Sequence, residues 1–310
     1  MATGIVVIGR NEGERLRRCL ESLPHSCPIV YADSGSSDGS LALARSLGLH
    51  ALECSRPYSA ARARNLGFCW LAERYPGIRY VQFLDGDCTL FAGWLDAAAR
   101  ALEADPRQAA VIGELLERNP DASAYSRLCA MEWRSTPGEV RALGGIAMMR
   151  ADVFRALGGY RPEVIAGEDS ELGVRMSLAG YKVTRIAGLM ATHDAGITRF
   201  GQWWRRAVRA GHAIGQRSYL NGSSAMHDCV HERNSALFWG IGLPLLALSA
   251  VPGSLLLLCA YAALWLRVWR RSGSALYATF LLIGKFANAL GLARFYLNKL
   301  AGRYEIIEYK

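Results

Sequence analysis

The stretch from Val81 to Cys88, V-Q-F-L-D-G-D-C, constrains the fold most, because an apolar run stops abruptly at two carboxylates one residue apart. A short apolar run of this kind is typical of a strand that is buried on both faces of a sheet. In an open α/β sheet, ligands bind outside the carboxyl ends of the strands. Asp85 and Asp87 are therefore placed to hold a hard divalent cation, and through it a phosphate. A hairpin turn at Asp-Gly is the alternative interpretation.

The sequence around this stretch alternates between strand-like and helix-like patterns. The predicted strands are residues 5–8, 29–32, 51–53, 80–84 and 109–113. Strands that alternate with helices predict an α/β fold with a mostly parallel sheet and right-handed crossovers. Polar residues follow two further strands, namely Asn11-Glu12 and Asp33, in addition to the acidic pair. Three polar clusters at strand ends indicate a ligand crevice along one edge of the sheet.

A second acidic pair, Glu168-Asp169, opens a predicted helix that runs to about Ala179. Acidic residues suit the first turn of a helix because of its dipole, so this pair has a structural explanation as well as a catalytic one. His193 follows a predicted strand over 181–186, and a lone histidine is most often structural. Residues 199–219 form a predicted basic helix.

The composition narrows the class of protein. The formal net charge is +9, which suits nucleic acid, anionic lipid or phosphorylated ligands. Basic and aromatic residues do not interleave as in RNA-binding domains, and zinc-finger spacing is absent, so we expect no nucleic-acid partner. The eight cysteines form no C-x-x-C pair, which indicates reduced thiols rather than a zinc or disulfide framework.

Several motifs occur together in one order. After the strand and N-E loop at residues 5–12 come A-D-S-G-S-S-D-G-S at 32–40, A-R-A-R-N-L-G at 61–67, D-G-D at 85–87, G-G-Y at 158–160 with Glu168-Asp169, and Q-W-W-R-R at 202–206. From Gly4 to Gln216 the sequence resembles the family 2 glycosyltransferases, which have the GT-A fold. The last motif is similar to the Q-x-x-R-W of processive members, but Arg206 stands where those members have Trp, which weakens any claim of processivity.

The resemblance implies a role for each position. Asp33 would bind the nucleobase, Asn11 and Glu12 would line the nucleotide pocket, and Arg62 or Arg64 would face the diphosphate. Asp85 would approach the ribose or the metal, Asp87 would ligate Mg²⁺ or Mn²⁺, and His193 would be a further metal ligand. Asp169 would be the general base beside Glu168. Gln202 and Arg205 would belong to the donor-binding set.

The resemblance further implies an inverting transfer from a nucleotide-diphosphate sugar, with a UDP-sugar favoured, to a lipid-linked or glycan acceptor. The chemistry agrees: a cation and arginines stabilise a diphosphate leaving group, and a carboxylate takes the proton of the acceptor hydroxyl. Two alternatives stay open. One is a sugar-phosphate nucleotidyltransferase. Such enzymes usually have a Gly-rich loop with Lys or Arg after the first strand, and Gly9–Gly13 is a poor match to that loop. The other is a non-catalytic nucleotide-binding scaffold in a membrane assembly.

The end of the chain is strongly apolar. No charged residue occurs from Ser235 to Leu266, which exceeds the roughly 20 residues needed for a membrane span. We predict a glycosyltransferase domain at 1–225 and a membrane-associated helical region at 226–310. Within that region we expect an apolar hairpin over 236–266, broken near Pro252-Gly253, and an interfacial or packed helix over 274–300. Basic flanks favour the cytoplasmic face of the inner membrane; a buried helical subdomain is the soluble alternative.

Overall fold

The computed structural model describes residues 2–134, 136–249 and 253–303. The chain separates into two compact units. The sheet unit comprises Met1–Asn119 and Glu132–Gly196, and the helical unit comprises Pro120–Met131 and Ile197–Lys310. The predicted division at 225/226 stays a prediction. The compact units differ from it because the helix Phe200–Asn221 packs against the helix Ala275–Leu300.

A single sheet forms the centre of the sheet unit. Its strands are β1 (Thr3–Gly9), β2 (Ile29–Asp33), β3 (His50–Glu53), β4 (Tyr80–Asp85), β5 (Cys88–Leu90), β6 (Gln108–Glu117), β7 (Gly138–Glu139), β8 (Ala147–Arg150) and β9 (Lys182–His193). The flanking helices are α1 (Glu14–Glu21), α2 (Ser40–Ser46), α3 (Ala60–Arg74), α4 (Trp94–Ala104), α6 (Ala151–Ala156) and α7 (Glu168–Leu178). Most of the helix α5 (Ala124–Trp133) belongs to the helical unit, and its last two residues belong to the sheet unit.

The strands lie in the order β3-β2-β1-β4-β8-β6-β9-β5, and β7 pairs with β9. The first four strands pair in parallel, as the strand–helix alternation predicts. The sheet is mixed beyond β4, because β8 runs antiparallel to both β4 and β6, and β9 is antiparallel to β5 and β7. The alternation breaks after β6, where the chain reaches β8 with only α5 and the two-residue β7 between.

The register brings the strand ends named in the sequence to one edge. Gly9 at the end of β1 pairs with Asp33, and the preceding Ile8 pairs with Asp85. His193 at the end of β9 pairs with Cys88 on one side and with Glu117 on the other. The middle of β1 is completely buried, as its apolar sequence predicts. The core therefore lies behind this edge and fixes the backbone from which the polar side chains project.

The helical unit contains α8 (Phe200–Asn221), α9 (Val230–Leu237), a π-helical turn (Phe238–Gly242), α10 (Leu243–Ala247), a 3₁₀ segment (Ser254–Leu258), α11 (Cys259–Ser272) and α12 (Ala275–Leu300). The helices α8 and α12 pack closely, because a Cβ atom on Gly211 or Gly291 would collide with the backbone of the facing helix. In the part of the chain that the structure describes, α12 is the one helix long and apolar enough to cross a membrane.

Residues 236–266, predicted as an apolar hairpin, contain several short helical segments, and the hairpin itself stays a prediction. These segments have between 5 and 14 residues each. Residues 250–252 lie outside the described residues, and with them part of the predicted break at Pro252-Gly253. Large apolar side chains on either side of that break are exposed, among them Leu248 and Leu256. The helix predicted over 274–300 is present as α12.

Candidate active site

The turn Asp85-Gly86-Asp87 connects two strands that belong to different ladders. β4, which ends at Asp85, pairs with β1 and β8, whereas β5, which begins after Asp87, pairs with β9. The hairpin interpretation of this stretch is therefore wrong. The backbone N–H of Gly86 donates a hydrogen bond to the Ile8 carbonyl at 2.7 Å, which ties the turn to the end of β1. Both carboxylates are consequently held at the edge where parallel strands end.

Asp87 lies beside His193, as a shared metal site requires. The His193 Nε2 is 3.5 Å from the Asp87 Oδ2, and the Asp87 carbonyl accepts a hydrogen bond from the backbone N–H of Asp194 at 2.9 Å. One ligand atom each from Asp87, Cys88 and His193 lies within 4.8 Å of the others. A carboxylate oxygen and an imidazole nitrogen are suitable ligands for Mn²⁺ or Mg²⁺. These residues therefore fit a divalent cation.

The Cys88 thiol is a poorer ligand for such a cation. Burial raises the pKa of this thiol well above its usual value, and the charges of Asp87 and Asp85 raise it further. Its Sγ lies 3.4 Å from the Asp87 Oδ1. A protonated thiol does not bind metal, and hard cations prefer oxygen ligands. Asp87 and His193 would accordingly be the main protein ligands of a cation in this arrangement.

Arg64 joins the two acidic pairs. Its Nη2 donates to the Asp85 Oδ1 at 2.7 Å, and its Nη1 donates to the Glu168 Oε1 at 2.5 Å. Burial alone would lower the pKa of Arg64, but the carboxylates of Asp85 and Glu168 more than offset that effect and raise it. A Cβ atom at Gly145 would lie 2.7 Å from the Asp85 Oδ2, so only glycine lets the backbone approach this pair. With 2 % of its side chain exposed, Arg64 neutralises carboxylates inside the protein.

Asp169 lies one residue further into α7 and is half-buried. The helix begins after Gly167, whose φ of 71° is a conformation that glycine adopts without strain. The charge of Asp169 acts on both Arg64 and Tyr160. Tyr160 is itself held by Asn65, which exchanges two hydrogen bonds with its backbone at 2.7 and 2.9 Å. The A-R-N segment of α3 thus fixes both the G-G-Y segment and the start of α7.

The end of β2 forms a separate polar cluster. Asp33 is buried and accepts hydrogen bonds from the Tyr31 hydroxyl at 2.8 Å, the Ser36 hydroxyl at 2.6 Å and the Ser36 backbone at 2.7 Å. The Ser36 hydroxyl in turn accepts from the backbone N–H of Asn11. Glu12 is buried and pairs with Arg15 at 2.8 Å. Asn11, Asp33 and Ser36 therefore hold the loops after β1 and β2 together.

Other predicted residues have different surroundings. Arg62 is half-buried in the first turn of α3. The backbone N–H of Arg62 donates a hydrogen bond to the Ser59 hydroxyl, which caps the start of this helix. Gln202 and Arg205 lie in the helical unit, whereas the other predicted site residues lie in the sheet unit. The Gln202 Oε1 accepts from the backbone N–H groups of Thr198 and Arg199, so this side chain caps the start of α8.

Glu117 is a site residue that the sequence interpretation missed. It is the last residue of β6, its side chain is buried, and its Oε2 lies 3.9 Å from the His193 Nδ1. The predicted strand stopped at Gly113, four residues before it. The continued run Glu114-Leu115-Leu116-Glu117 has two leucines between two carboxylates, and this was the signal that the strand extends and ends at an acidic residue.

The comparisons with known proteins agree with this geometry. The model of glycosyl transferase family 2 matches residues 4–157, which hold the loops after β1 and β2, Arg64 and the D-G-D turn. The glycosyltransferase AglE of Haloferax volcanii is 23% identical over 223 residues, or 67% of this chain and 71% of AglE. The succinoglycan biosynthesis protein ExoA of Rhizobium meliloti is 28% identical over 199 residues, or 58% of this chain and 59% of ExoA.

Solved structures share the fold. The mannosyltransferase PcManGT from Pyrobaculum calidifontis, in complex with GDP-Man and Mn²⁺, has a TM-score of 0.63 at 21% identity and covers 93% of this chain and 87% of its own. TarS 1–349 of S. aureus in complex with UDP has a TM-score of 0.52 at 15% identity and covers 100% of this chain and 95% of its own.

The fold is that of the GT-A class. The chain belongs to glycosyl transferase family 2. The sequence-based predictions of fold, family and glycosyl transfer are confirmed.

Proposed function

We propose that this protein is an inverting, metal-dependent glycosyltransferase that moves a sugar from a UDP-sugar to a hydroxyl or phosphate of a lipid-linked or glycan acceptor. The observation that carries the proposal is the Arg64 bridge. Arg64 binds one oxygen of Asp85 and one of Glu168, while Asp87 lies beside His193 and Asp169 follows Glu168 in the first turn of α7.

Asp87 and His193 would hold the cation. When bound, Mg²⁺ or Mn²⁺ neutralises negative charge on the diphosphate leaving group. Asp87 is buried at the edge of the sheet, so its carboxylate has little competing water. The Mn²⁺ in the PcManGT complex supports a metal requirement in a protein of the same fold.

Asp169 would act as the general base. Glu168 is bound to Arg64 at 2.5 Å, so its carboxylate is held in a buried ion pair. Asp169, next along the helix, accepts the proton of the acceptor hydroxyl while that oxygen attacks the anomeric carbon and the bond from this carbon to the nucleoside diphosphate breaks, which releases the diphosphate. A single displacement of this kind inverts the anomeric configuration.

The surroundings of Asp33 favour uracil as the nucleobase. A carboxylate offers about four acceptor positions, and three donors from Tyr31 and Ser36 already use Asp33. One further N–H donor, such as N3–H of uracil, fits. Guanine presents two adjacent donors to a carboxylate and would have to displace one of the internal bonds. The S. aureus TarS complex contains UDP and the PcManGT complex contains GDP-Man, so relatives of this fold bind both bases.

The helical unit would attach the enzyme to the cytoplasmic face of the membrane. Leu245, Leu248 and Leu256 expose 65%, 76% and 73% of their surface, which is costly in water and favourable in a lipid interface. Arg267, Arg270 and Arg271 of α11 supply positive charge toward anionic lipid headgroups. A lipid-linked acceptor would be presented at that surface.

Nucleoside diphosphate release tests the proposal. The purified full chain would be incubated with Mn²⁺, a membrane extract as the source of acceptor, and UDP-glucose, UDP-galactose, UDP-N-acetylglucosamine or GDP-mannose in turn. We expect UDP release from one of the UDP-sugars, and loss of that release in the Asp169→Asn variant. Turnover of GDP-mannose alone would contradict the uracil assignment. Consumption of a nucleoside triphosphate with a sugar phosphate, and of no nucleotide sugar, would contradict glycosyl transfer.

A further inference from the structure

We propose that Glu117 is a positioning residue that orients His193 for the cation. The proposal rests on the metal role given to Asp87 and His193 above. Glu117 ends β6 and pairs in parallel register with His193 at the end of β9. The two side chains therefore leave neighbouring strands at the same level of the sheet, although 76 residues separate them in sequence.

The imidazole of His193 lies between two carboxylates, one facing each ring nitrogen. Its Nε2 is 3.5 Å from the Asp87 Oδ2, and its Nδ1 is 3.9 Å from the Glu117 Oε2. Asp87 and Glu117 expose 3% and 1% of their side chains, so little water screens either charge. The Trp133 ring packs edge-on against the imidazole with centroids 4.5 Å apart, which restricts rotation of the ring.

Backbone groups hold Glu117 in place. Its Oε2 accepts from the N–H of Ala195 and its Oε1 accepts from the N–H of Asn119, each at 3.4 Å. Asn119 follows β6 and Ala195 follows β9. The pairing of β6 with β9 that places His193 therefore also places the Glu117 carboxylate. Glu117 is thus a fixed carboxylate 3.9 Å from Nδ1 on one side of the imidazole, and Asp87 is on the opposite side.

When a cation lies between Asp87 and Nε2, this arrangement favours one form of the histidine. A carboxylate facing Nδ1 favours the tautomer that carries its proton on Nδ1, and the lone pair is then on Nε2. Nε2 is the nitrogen that faces Asp87 and the proposed cation site. A carboxylate behind a metal-binding histidine fixes the tautomer and ring orientation, and its removal typically costs about 10- to 100-fold in metal affinity.

The test is Mn²⁺ titration of the purified full chain without nucleotide sugar, followed by the electron paramagnetic resonance signal of free Mn²⁺. Glu117→Leu removes the acceptor at similar volume, and we expect it to weaken Mn²⁺ binding about 10- to 100-fold. Glu117→Gln keeps a carbonyl that can accept from Nδ1, so we expect a smaller loss, and this variant carries the test if the leucine variant does not fold. Glu114→Gln, an exposed residue of the same strand, is the control and should bind as the wild type does.

Two further measurements distinguish a loss of His193 positioning from a general loss of folded structure. In ¹⁵N spectra of metal-free Asp87→Ala protein, which lacks the carboxylate facing Nε2, His193 should carry its proton on Nδ1, and it should populate both tautomers when Glu117→Leu is added. The Glu117→Leu/His193→Ala double variant should bind Mn²⁺ no more weakly than His193→Ala alone. Wild-type affinity in both Glu117 variants and an unchanged tautomer when Glu117→Leu is added, with affinity lost in His193→Ala, would overturn the positioning role and leave the metal site standing. Wild-type affinity in Asp87→Ala and His193→Ala would overturn the metal site itself.

Discussion

Arg64 Nη1 lies 2.5 Å from Glu168 Oε1, although the two residues are 104 positions apart in the sequence. The bond joins the first turns of α3 to the first residue of α7, and the second nitrogen of Arg64 joins both to Asp85 at the end of β4. A single buried guanidinium therefore sets the spacing between the acidic turn and the helix that carries the proposed base.

Arg64→Met is expected to lower stability strongly. The substitution leaves the carboxylates of Asp85 and Glu168 without their cation, and breaking such a buried pair costs about 3–5 kcal/mol. Urea unfolding of the full chain measures the loss. Arg79→Met is the matched control, because the Arg79–Glu103 pair is exposed and contributes about 0–1 kcal/mol. Equal losses in the two variants would show that the Arg64 bridge does not stabilise the sheet unit.

Asp169→Asn is expected to abolish sugar transfer and to leave donor binding nearly intact. The amide keeps the shape of the side chain but does not accept the proton of the acceptor hydroxyl. Steady-state turnover and calorimetric titration with UDP separate the two effects. Glu168→Gln provides the comparison: it should reduce stability through Arg64 and retain measurable turnover. Turnover of Asp169→Asn close to that of the wild type would assign the base to another residue.

Removal of divalent cations is expected to stop the reaction. EDTA should abolish nucleoside diphosphate release, and Mn²⁺ or Mg²⁺ should restore it, because the leaving diphosphate then has a counter-charge. The test is to measure nucleoside diphosphate release by EDTA-treated protein as a function of free Mn²⁺ concentration. Full activity in EDTA would remove the metal role from both Asp87 and His193.

Membrane attachment through the helical unit is expected to resist salt. Exposed leucines bind a lipid interface by the hydrophobic effect, which salt does not weaken, whereas the arginines of α11 bind by charge, which salt screens. The full chain should sediment with membranes after a high-salt wash. A variant with Leu245, Leu248 and Leu256 changed to serine should be released. Release of the wild type by salt alone would leave surface charge as the only attachment.

Local sequence patterns were sufficient for the elements that are locally determined. The apolar run of β1 and the abrupt polar end of β4 depend on burial and on the strand period, and the structure has both strands where the patterns predict them. The parallel pairing of β1 to β4 follows from the helices between them. The antiparallel insertion of β8 between β4 and β6 depends on contacts distant in sequence, and no local pattern indicates it.

The same limit applies to the candidate site. Arg64 was expected to face a diphosphate as an alternative to Arg62, and its position in a helical motif could not reveal that it is buried between two carboxylates. Glu117 is adjacent to His193 only through the register of β6 and β9. The roles proposed for Asn11, Glu12, Asp33, Gln202 and Arg205 in donor binding stay predictions.

Calorimetric titration with UDP, with and without Mn²⁺, tests the central claim most directly. If Asp87 and His193 hold a cation that binds the donor diphosphate, Mn²⁺ should strengthen UDP binding to the wild type by about tenfold or more, and it should give no such gain in Asp87→Ala. Equal UDP affinity with and without Mn²⁺ in the wild type, or an undiminished gain in Asp87→Ala, would contradict the assignment of the acidic turn as the metal end of the donor site.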